Sequence, residues 1–349
     1  MDSFKPAISS MSLGRAWIHR MPSKLSAASH HNFLGLEVFY EDLEYLARSE
    51  SEIESETETP SPEALLHAAS TMRALCDERG ITIIGLQPFA FYEGLRDRTE
   101  HAQRIAQIKL WFRLVKALGT DLIQIPASFL PRREITGDVG IVVDDLRELA
   151  DLGARETPVV RFAYENLCWS THFDTWEAGW DLVGRVDRAN FGIVLDTFNI
   201  AGRVWADPSS VDGKTVDAEE ALRESLERLV EKVDREKVFY IQVVDAERMR
   251  EPLVRGHAFW DERQPARMSW SRNARLFAGE KGRGAYLPIE EVTRAIVEGV
   301  GYRGWVSMEL FNRSMAQEGE EVPDQHARRA RESWEVIQGW MKSWKLEEE

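Results

Sequence analysis

Eight short runs rich in β-branched and aromatic residues alternate along the chain with longer amphipathic stretches, and this alternation constrains the fold more than any other feature. The predicted strands are Ile8–Gly14, Phe33–Tyr40, Ile81–Phe89, Asp121–Ser128, Val159–Leu167, Phe191–Phe198, Lys237–Ala246 and Trp305–Asn312. Several are nearly unbroken apolar runs, the pattern of parallel strands covered on both faces. Predicted helices fill the spaces between them: Pro62–Arg79, Asp97–Leu118, Val139–Leu152, Asp174–Arg188, Val216–Glu236, Pro288–Gly299 and Asp324–Trp344. Ser61 is a natural cap before a proline at the first helical position, and Gly80, Gly119 and Gly153 stand where helices should stop. Eight strands joined by right-handed helical crossovers predict an α/β fold of the (β/α)8 TIM-barrel type. A doubly wound open sheet is the competing arrangement. The 349 residues could divide into two average domains, but α/β barrels reach this size as one unit, and no linker or internal repeat is visible. One barrel domain over residues 1–349 is therefore expected.

Two segments break the rhythm. Residues 49–61 (SESEIESETETPS) are acidic and rich in Ser and Thr, the composition of a solvated loop. Residues 247–284, after the seventh strand, far exceed the about 2–6 residues of an ordinary βα loop. That extended loop carries Arg255, His257, Arg263, Arg267, Arg272, Arg275 and Arg283 with Trp260 and Trp270 among them. Long loops on the C-terminal face of a barrel serve as lids and binding loops. A C-terminal helix, 324–344, completes the chain.

Charge and cysteine content exclude whole classes of function. A formal net charge of −15 repels phosphate backbones and anionic membrane surfaces, so neither nucleic acid nor membrane is expected as a partner. A small anionic substrate is still allowed, because a few arginines in a cleft outweigh a distant field. The two cysteines, Cys76 and Cys168, make no disulfide framework or zinc knuckle. No secretory signal and no membrane-spanning apolar run is visible, and a cytoplasmic protein is expected.

Chemistry on a barrel resides at the C-terminal ends of the strands. Strand five ends in FAYENL with Glu165, strand six in GIVLDTFN with Asp196 and Asn199, strand seven holds Gln242 in VFYIQVVDA, and strand eight holds Glu309 in WVSMELF. Each is costly to bury alone. On four successive strands Glu165, Asp196, Gln242 and Glu309 can converge, and three clustered carboxylates repel one another unless a cation neutralises them. A divalent metal is the economical explanation. Three carboxylates and one amide suit a hard cation, Mg²⁺ or Mn²⁺, with Co²⁺ and Zn²⁺ as alternatives. The competing reading makes these residues strand caps or partners of Lys and Arg. Glu37, in LGLEVFYED, is either a further group at this mouth or a hydrogen-bonding partner behind it.

At this point the chain resembles the xylose-isomerase-like barrels, a superfamily of sugar isomerases, epimerases and endonuclease IV. Within that superfamily its motifs are most similar to the fungal 3-dehydroshikimate dehydratases of quinate catabolism. The motifs are SMSLGR, FLGLEVFYEDL, GLQPFAFYEGL, DLIQIPASFLP, YENLCWSTHFDTWE, VLDTFNIAGRVWADP, QPARMSWSRNARLF, GAYLPI and GYRGWVSMELFN. The resemblance implies a metal-dependent dehydration of 3-dehydroshikimate, a small-molecule substrate, to protocatechuate, with Glu165, Asp196, Gln242 and Glu309 as metal ligands. It also implies a histidine three residues after the metal Asp in bacterial relatives. Here that position is Asn199, a neutral amide that cannot act as a base. The acid–base role is therefore expected of His172, in the loop after Glu165, or His257, in the strand-seven loop. Arg272 is the first choice for the substrate carboxylate, with Arg255 and Arg283 behind it. His30, His31, His101 and His326 are expected to be structural, and the helical tryptophans to pack helices on the barrel. Two other readings compete: a sugar or hydroxy-acid isomerase or epimerase on the same barrel, and a non-catalytic interaction barrel. The clustered arginines favour a carboxylated ring over a neutral sugar.

Overall fold

The computed structural model describes residues 3–53 and 58–347; residues 54–57, in the middle of the acidic 49–61 segment, lie outside the described residues. Eight parallel strands form a closed barrel: β1 (Phe4–Ser9), β2 (Gly35–Phe39), β3 (Thr82–Gln87), β4 (Leu122–Pro126), β5 (Arg161–Glu165), β6 (Phe191–Asp196), β7 (Val238–Gln242) and β8 (Gly304–Met308). Each strand lies beside its neighbour in the chain, and β8 closes onto β1. The helices are α1 (Met21–His30), α2 (Tyr40–Glu50), α3 (Pro62–Asp77), α4 (Arg98–Leu118), α5 (Val139–Ala154), α6 (Trp176–Val186), α7 (Thr197–Val204), α8 (Ala218–Lys232), α9 (Ala266–Ala274), α10 (Ile289–Arg294) and α11 (Val322–Glu347). The architecture is the (β/α)8 barrel that the alternating pattern predicts.

Strand periodicity divides the barrel interior into layers. Ala7, Ile84, Leu122, Ala163, Val194 and Tyr240 form an apolar plug, with Phe239 and Trp305 packed against it. Side chains two positions apart share a face, so the residues two steps beyond the plug also point inward. For five of the six these are the buried polar residues Ser9, Gln124, Glu165, Asp196 and Gln242; for Ile84 it is the buried Leu86. The apolar layer thus seals the bottom of the barrel, and the next layer is polar.

Several local predictions shift for identifiable reasons. β1 starts at Phe4 instead of Ile8, and Ser10–Leu13 form a 3-10 turn. Lys5 and Pro6 interrupt the apolar run, but Lys5 lies over the Trp305 ring at 5.2 Å and takes its place in the strand. β6 stops at Asp196 because that carboxylate accepts from the Phe198 amide (2.8 Å) and starts α7, a helix the pattern did not suggest. The predicted seventh strand is interrupted: Asp245–Ala246 leave the barrel and pair antiparallel with Arg275–Leu276. Ser61 caps α3 as expected, and Gly119 ends α4 at φ +76°. Gly153 does not end its helix. It is buried against Phe162, where a Cβ would meet the ring at 2.6 Å.

The C-terminal helix α11 is tied to the barrel mouth through His326. Its Nδ1 lies 2.7 Å from the Ser12 carbonyl and its Nε2 3.0 Å from Ser314 Oγ. The neutral ring satisfies both contacts by donating from Nδ1 and accepting at Nε2. Burial, and then the Arg329 cation, lowers the His326 pKa to about 4. An unfolded histidine takes up its proton near 6.5 and the folded one only near 4, so the unfolded state gains as pH falls through that window. This residue is expected to withdraw about 3 kcal/mol of stability between pH 6.5 and 4. Urea unfolding across that range should show the loss, and His326→Gln should flatten it.

Candidate active site

The polar layer is a network of buried carboxylates and amides at the C-terminal ends of the strands. Asp196 and Gln242 are in register across β6 and β7, and Glu165 is in register with Pro126 across β4 and β5. One oxygen from each of Glu165, Asp196 and Glu309 lies within 4.8 Å of the others. Asn199 Nδ2 donates to Glu165 Oε1 (2.8 Å) and Asp196 Oδ2 (2.7 Å), while its Oδ1 accepts from the Cys168 amide (3.0 Å). Gln124 donates to the other Glu165 oxygen. Glu37 accepts from Gln87 (2.9 Å) and Gln242 (3.1 Å), and both amides also reach Glu309 Oε1, at 3.1 and 3.2 Å.

One guanidinium crosses this layer. Arg275 Nη1 donates to Asp196 Oδ2 (3.0 Å) and Glu309 Oε2 (2.7 Å), and its Nε donates to Ser271 Oγ (2.9 Å). The pairing of Asp245–Ala246 with Arg275–Leu276 returns the chain to the mouth and delivers this side chain, which also lies over Phe198 at 4.3 Å.

The electrostatics of the layer are unbalanced. Burial, reinforced by Glu309 and Asp196, pushes the Glu165 carboxyl well above the usual carboxylate range. Burial pushes Glu309 up to about 8 and raises Asp196, in both cases against the Arg275 cation. Burial likewise pushes Glu37 up to about 7. Three carboxylates thus share one guanidinium, and the excess negative charge calls for a further cation or for protons. The donor set fits a cation. Gln242 Oε1 is buried with no hydrogen-bond partner among the described residues, although the amide's Nε2 is fully engaged. A neutral oxygen left unpaired beside three carboxylates is the arrangement that a hard divalent ion completes.

Above the layer opens a cavity of about 330 Å³. Its polar floor includes Gln87, Gln124, Glu165, Arg275 and Glu309, and its walls are Phe39, Phe91, Phe129, Trp169, Met268 and Phe311. Phe91 and Phe129 meet edge to face at 4.7 Å. Phe91 sits at φ +61°, a strained backbone for a bulky residue. The segment is held from below: Glu93 Oε1 accepts from the Ser128 amide (2.6 Å) and the Tyr164 hydroxyl (3.2 Å). Asp145 accepts from the Gly94 amide (2.9 Å). Arg272 lines the rim, donating to the neutral Gln264 Oε1 at 2.6 Å; burial and the neighbouring Arg15 cation lower its pKa.

Residues 25–342 match the model of the xylose isomerase-like TIM barrels. The chain belongs to that family. A relative from Neurospora crassa, named 3-dehydroshikimate dehydratase, is 53% identical over 331 residues, covering 95% of this chain and 92% of the relative. A relative of the same name from Pseudomonas aeruginosa is 30% identical over 84% of this chain, which spans only 36% of that longer protein. Among solved structures, a xylose isomerase-like TIM barrel/4-hydroxyphenylpyruvate dioxygenase fusion protein superposes with a TM-score of 0.68 at 26% identity, over 94% of this chain and 42% of that one.

On this family barrel, Glu165, Asp196, Gln242 and Glu309 share the buried layer, and Arg272 reaches the cavity rim. Asn199 lies beneath Glu165 and Asp196 and orients both. The other predicted site residues lie elsewhere. His172 does not line the cavity; its Nδ1 lies 3.4 Å from Arg132, and burial lowers its pKa. His257 accepts from the Phe259 amide (3.0 Å), also outside the lining. Arg255 is exposed, and Arg283 pairs with Glu280 at 3.2 Å. Among the described residues no histidine lines the cavity.

Arg275, present in the sequence only as one of several loop arginines, and Gln87, Gln124 and the aromatic wall have roles that become visible in the structure. Gln124 carries the signal used for Gln242, an amide inside an apolar strand (LIQIP). Arg275 precedes Leu276–Phe277 and is buried to 1% exposure, which makes it the central cation of the layer. Arg275→Met is expected to lose about 3 kcal/mol in chelator, because it strands buried carboxylates without their partner. Added divalent metal should restore part of that loss in urea unfolding; an unchanged stability in chelator would contradict this account.

Proposed function

We propose that this chain dehydrates 3-dehydroshikimate to protocatechuate in quinate and shikimate catabolism, using a divalent metal held by Glu165, Asp196, Gln242 and Glu309. The observation that carries the reading is the unpaired Gln242 oxygen in the same buried layer as three clustered carboxylates, two of which, Glu165 and Glu309, line an aromatic-walled cavity that Arg272 also borders. The names of the Neurospora and Pseudomonas relatives support it. An all-oxygen donor set favours Mg²⁺ or Mn²⁺, with Co²⁺ and Zn²⁺ as alternatives. When bound, the ion supplies Lewis-acid polarisation of the substrate ketone and balances the charge that develops on its oxygen.

The chain's own residues supply position and selectivity. Phe91, Phe129 and Trp169 wall the space for a six-membered carbocycle that becomes flat as it aromatises. Arg272, held by a neutral amide and under the opposing influence of Arg15 and Asp261, forms no ion pair among the described residues and suits the substrate carboxylate. Arg275 holds Asp196 and Glu309 from one side, and Asn199 holds Glu165 and Asp196 from another, so both are positioning residues. Loss of one water followed by tautomerisation yields an aromatic ring, which drives the reaction forward. In this proposal proton transfer falls to His172 or His257, and either ring must enter the cavity by movement of its loop. Two buried free thiols, Cys76 and Cys168, fit a reducing cytoplasmic setting.

Incubation with 3-dehydroshikimate and Mn²⁺ or Mg²⁺ should generate the ultraviolet absorbance of protocatechuate, and EDTA should abolish it reversibly. A folded, metal-loaded sample that makes no product would overturn the proposal. Arg272→Ala should raise KM about 10- to 100-fold, the worth of a charged hydrogen bond, with metal content unchanged. Undiminished turnover in both His172→Ala and His257→Ala would move the proton-transfer step to a carboxylate of the cavity floor.

A further inference from the structure

Outside the polar layer of the barrel, two adjacent histidines face a carboxylate across the junction of α1 and α11. His30 is the last residue of α1, His31 caps it, and Asp324 lies in the first turn of α11. His31 Nε2 is 2.9 Å from Asp324 Oδ1. The two imidazoles stand nearly edge to face, 5.0 Å between centroids at 77°. One nitrogen from each ring and one Asp324 oxygen lie within 4.8 Å of one another. Beside them runs a surface groove of about 460 Å³ lined by Ser23, Ser26, His30, Glu320 and Asp324, so further oxygen donors and water have access.

We infer that His30, His31 and Asp324 form a second metal site, separate from the barrel centre and selective for a late first-row divalent ion of the zinc class. Two imidazoles and one carboxylate form the donor set preferred by Zn²⁺, Ni²⁺ and Cu²⁺, unlike the all-oxygen barrel layer. A lone exposed His–Asp pair is worth about 0–1 kcal/mol and gives the second imidazole no role, whereas an ion uses all three donors. The backbone already holds the ligands together: α11 is docked through the buried His326, two residues from Asp324, to the Ser12 carbonyl in the turn that precedes α1. Metal–nitrogen bonds of about 2.0–2.1 Å require donors roughly 3.4 Å apart in a tetrahedron. Rotation of the exposed His30 ring closes the remaining gap, and water or Glu320 takes the fourth position. An ion there clamps the end of α1 to the start of α11.

The test counts zinc. The full chain, stripped with chelator, is titrated with Zn²⁺ against a chromophoric zinc indicator, alongside His30→Ala, His31→Ala and Asp324→Asn. These residues lie outside the proposed catalytic machinery, so the barrel centre serves as an internal reference. The wild type should take up one more equivalent than either histidine variant, and Asp324→Asn should weaken that equivalent at least tenfold. Zinc should raise the Tm of the wild type more than that of His31→Ala, and Cu²⁺ at the site should show coupling to two nitrogens in its electron paramagnetic resonance spectrum. Equal zinc counts in the wild type and both histidine variants would overturn the site. Loss of the equivalent in His31→Ala alone would overturn the three-donor assignment.

Discussion

The structure depends on one electrostatic constraint: several carboxylates are buried in a single layer of the barrel, where unpaired charge is prohibitively costly. Glu165, Asp196, Glu309 and Glu37 are each at most 3% exposed. Everything near them serves to make that burial tolerable. The amides of Gln87, Gln124, Gln242 and Asn199 donate into the carboxylates, and Arg275 lends one positive charge. The residual negative charge is what the proposed divalent cation would offset. It also explains why the long segment after β7 returns to the mouth, since the antiparallel pairing at Asp245–Ala246 brings Arg275 into the layer.

The apolar plug makes this layer a site instead of a pore. Ala7, Leu122, Ala163, Val194 and Tyr240 close the barrel beneath it, and each lies two residues before a polar group in the layer above. Period-two alternation therefore converts five ordinary strands into an apolar floor and a polar layer above it. The aromatic wall is built separately. Phe91 holds a strained conformation because Glu93 and Asp145 anchor its segment to Ser128, Tyr164 and α5. Burial pushes Glu93 up to about 7, so a carboxyl that contributes only hydrogen bonds is spent on positioning the wall.

The barrel and its four proposed ligands were legible in the chain because each rests on a local contradiction. Glu165, Asp196, Gln242 and Glu309 are polar residues inside apolar strands, and burial cost alone marks them. Gln124 has the same signature, an amide inside the apolar run LIQIP. Arg275 was harder to find, since its role follows from a two-residue antiparallel pairing that no local pattern encodes. His172 and His257 drew attention by residue type, but a loop histidine carries no burial cost, and neither lines the cavity. The slip of β1 has a similar origin: Lys5 and Pro6 read as a break until Trp305 provides a surface for the lysine.

The most direct test of the central claim is the position of the ion. Anomalous diffraction from crystals grown with Mn²⁺ should show a peak at about 2.1–2.4 Å from oxygens of Glu165, Asp196, Gln242 and Glu309 together. A polar layer that stays empty in crystals of enzyme active with Mn²⁺, or an ion bound without these four oxygens, would contradict the account.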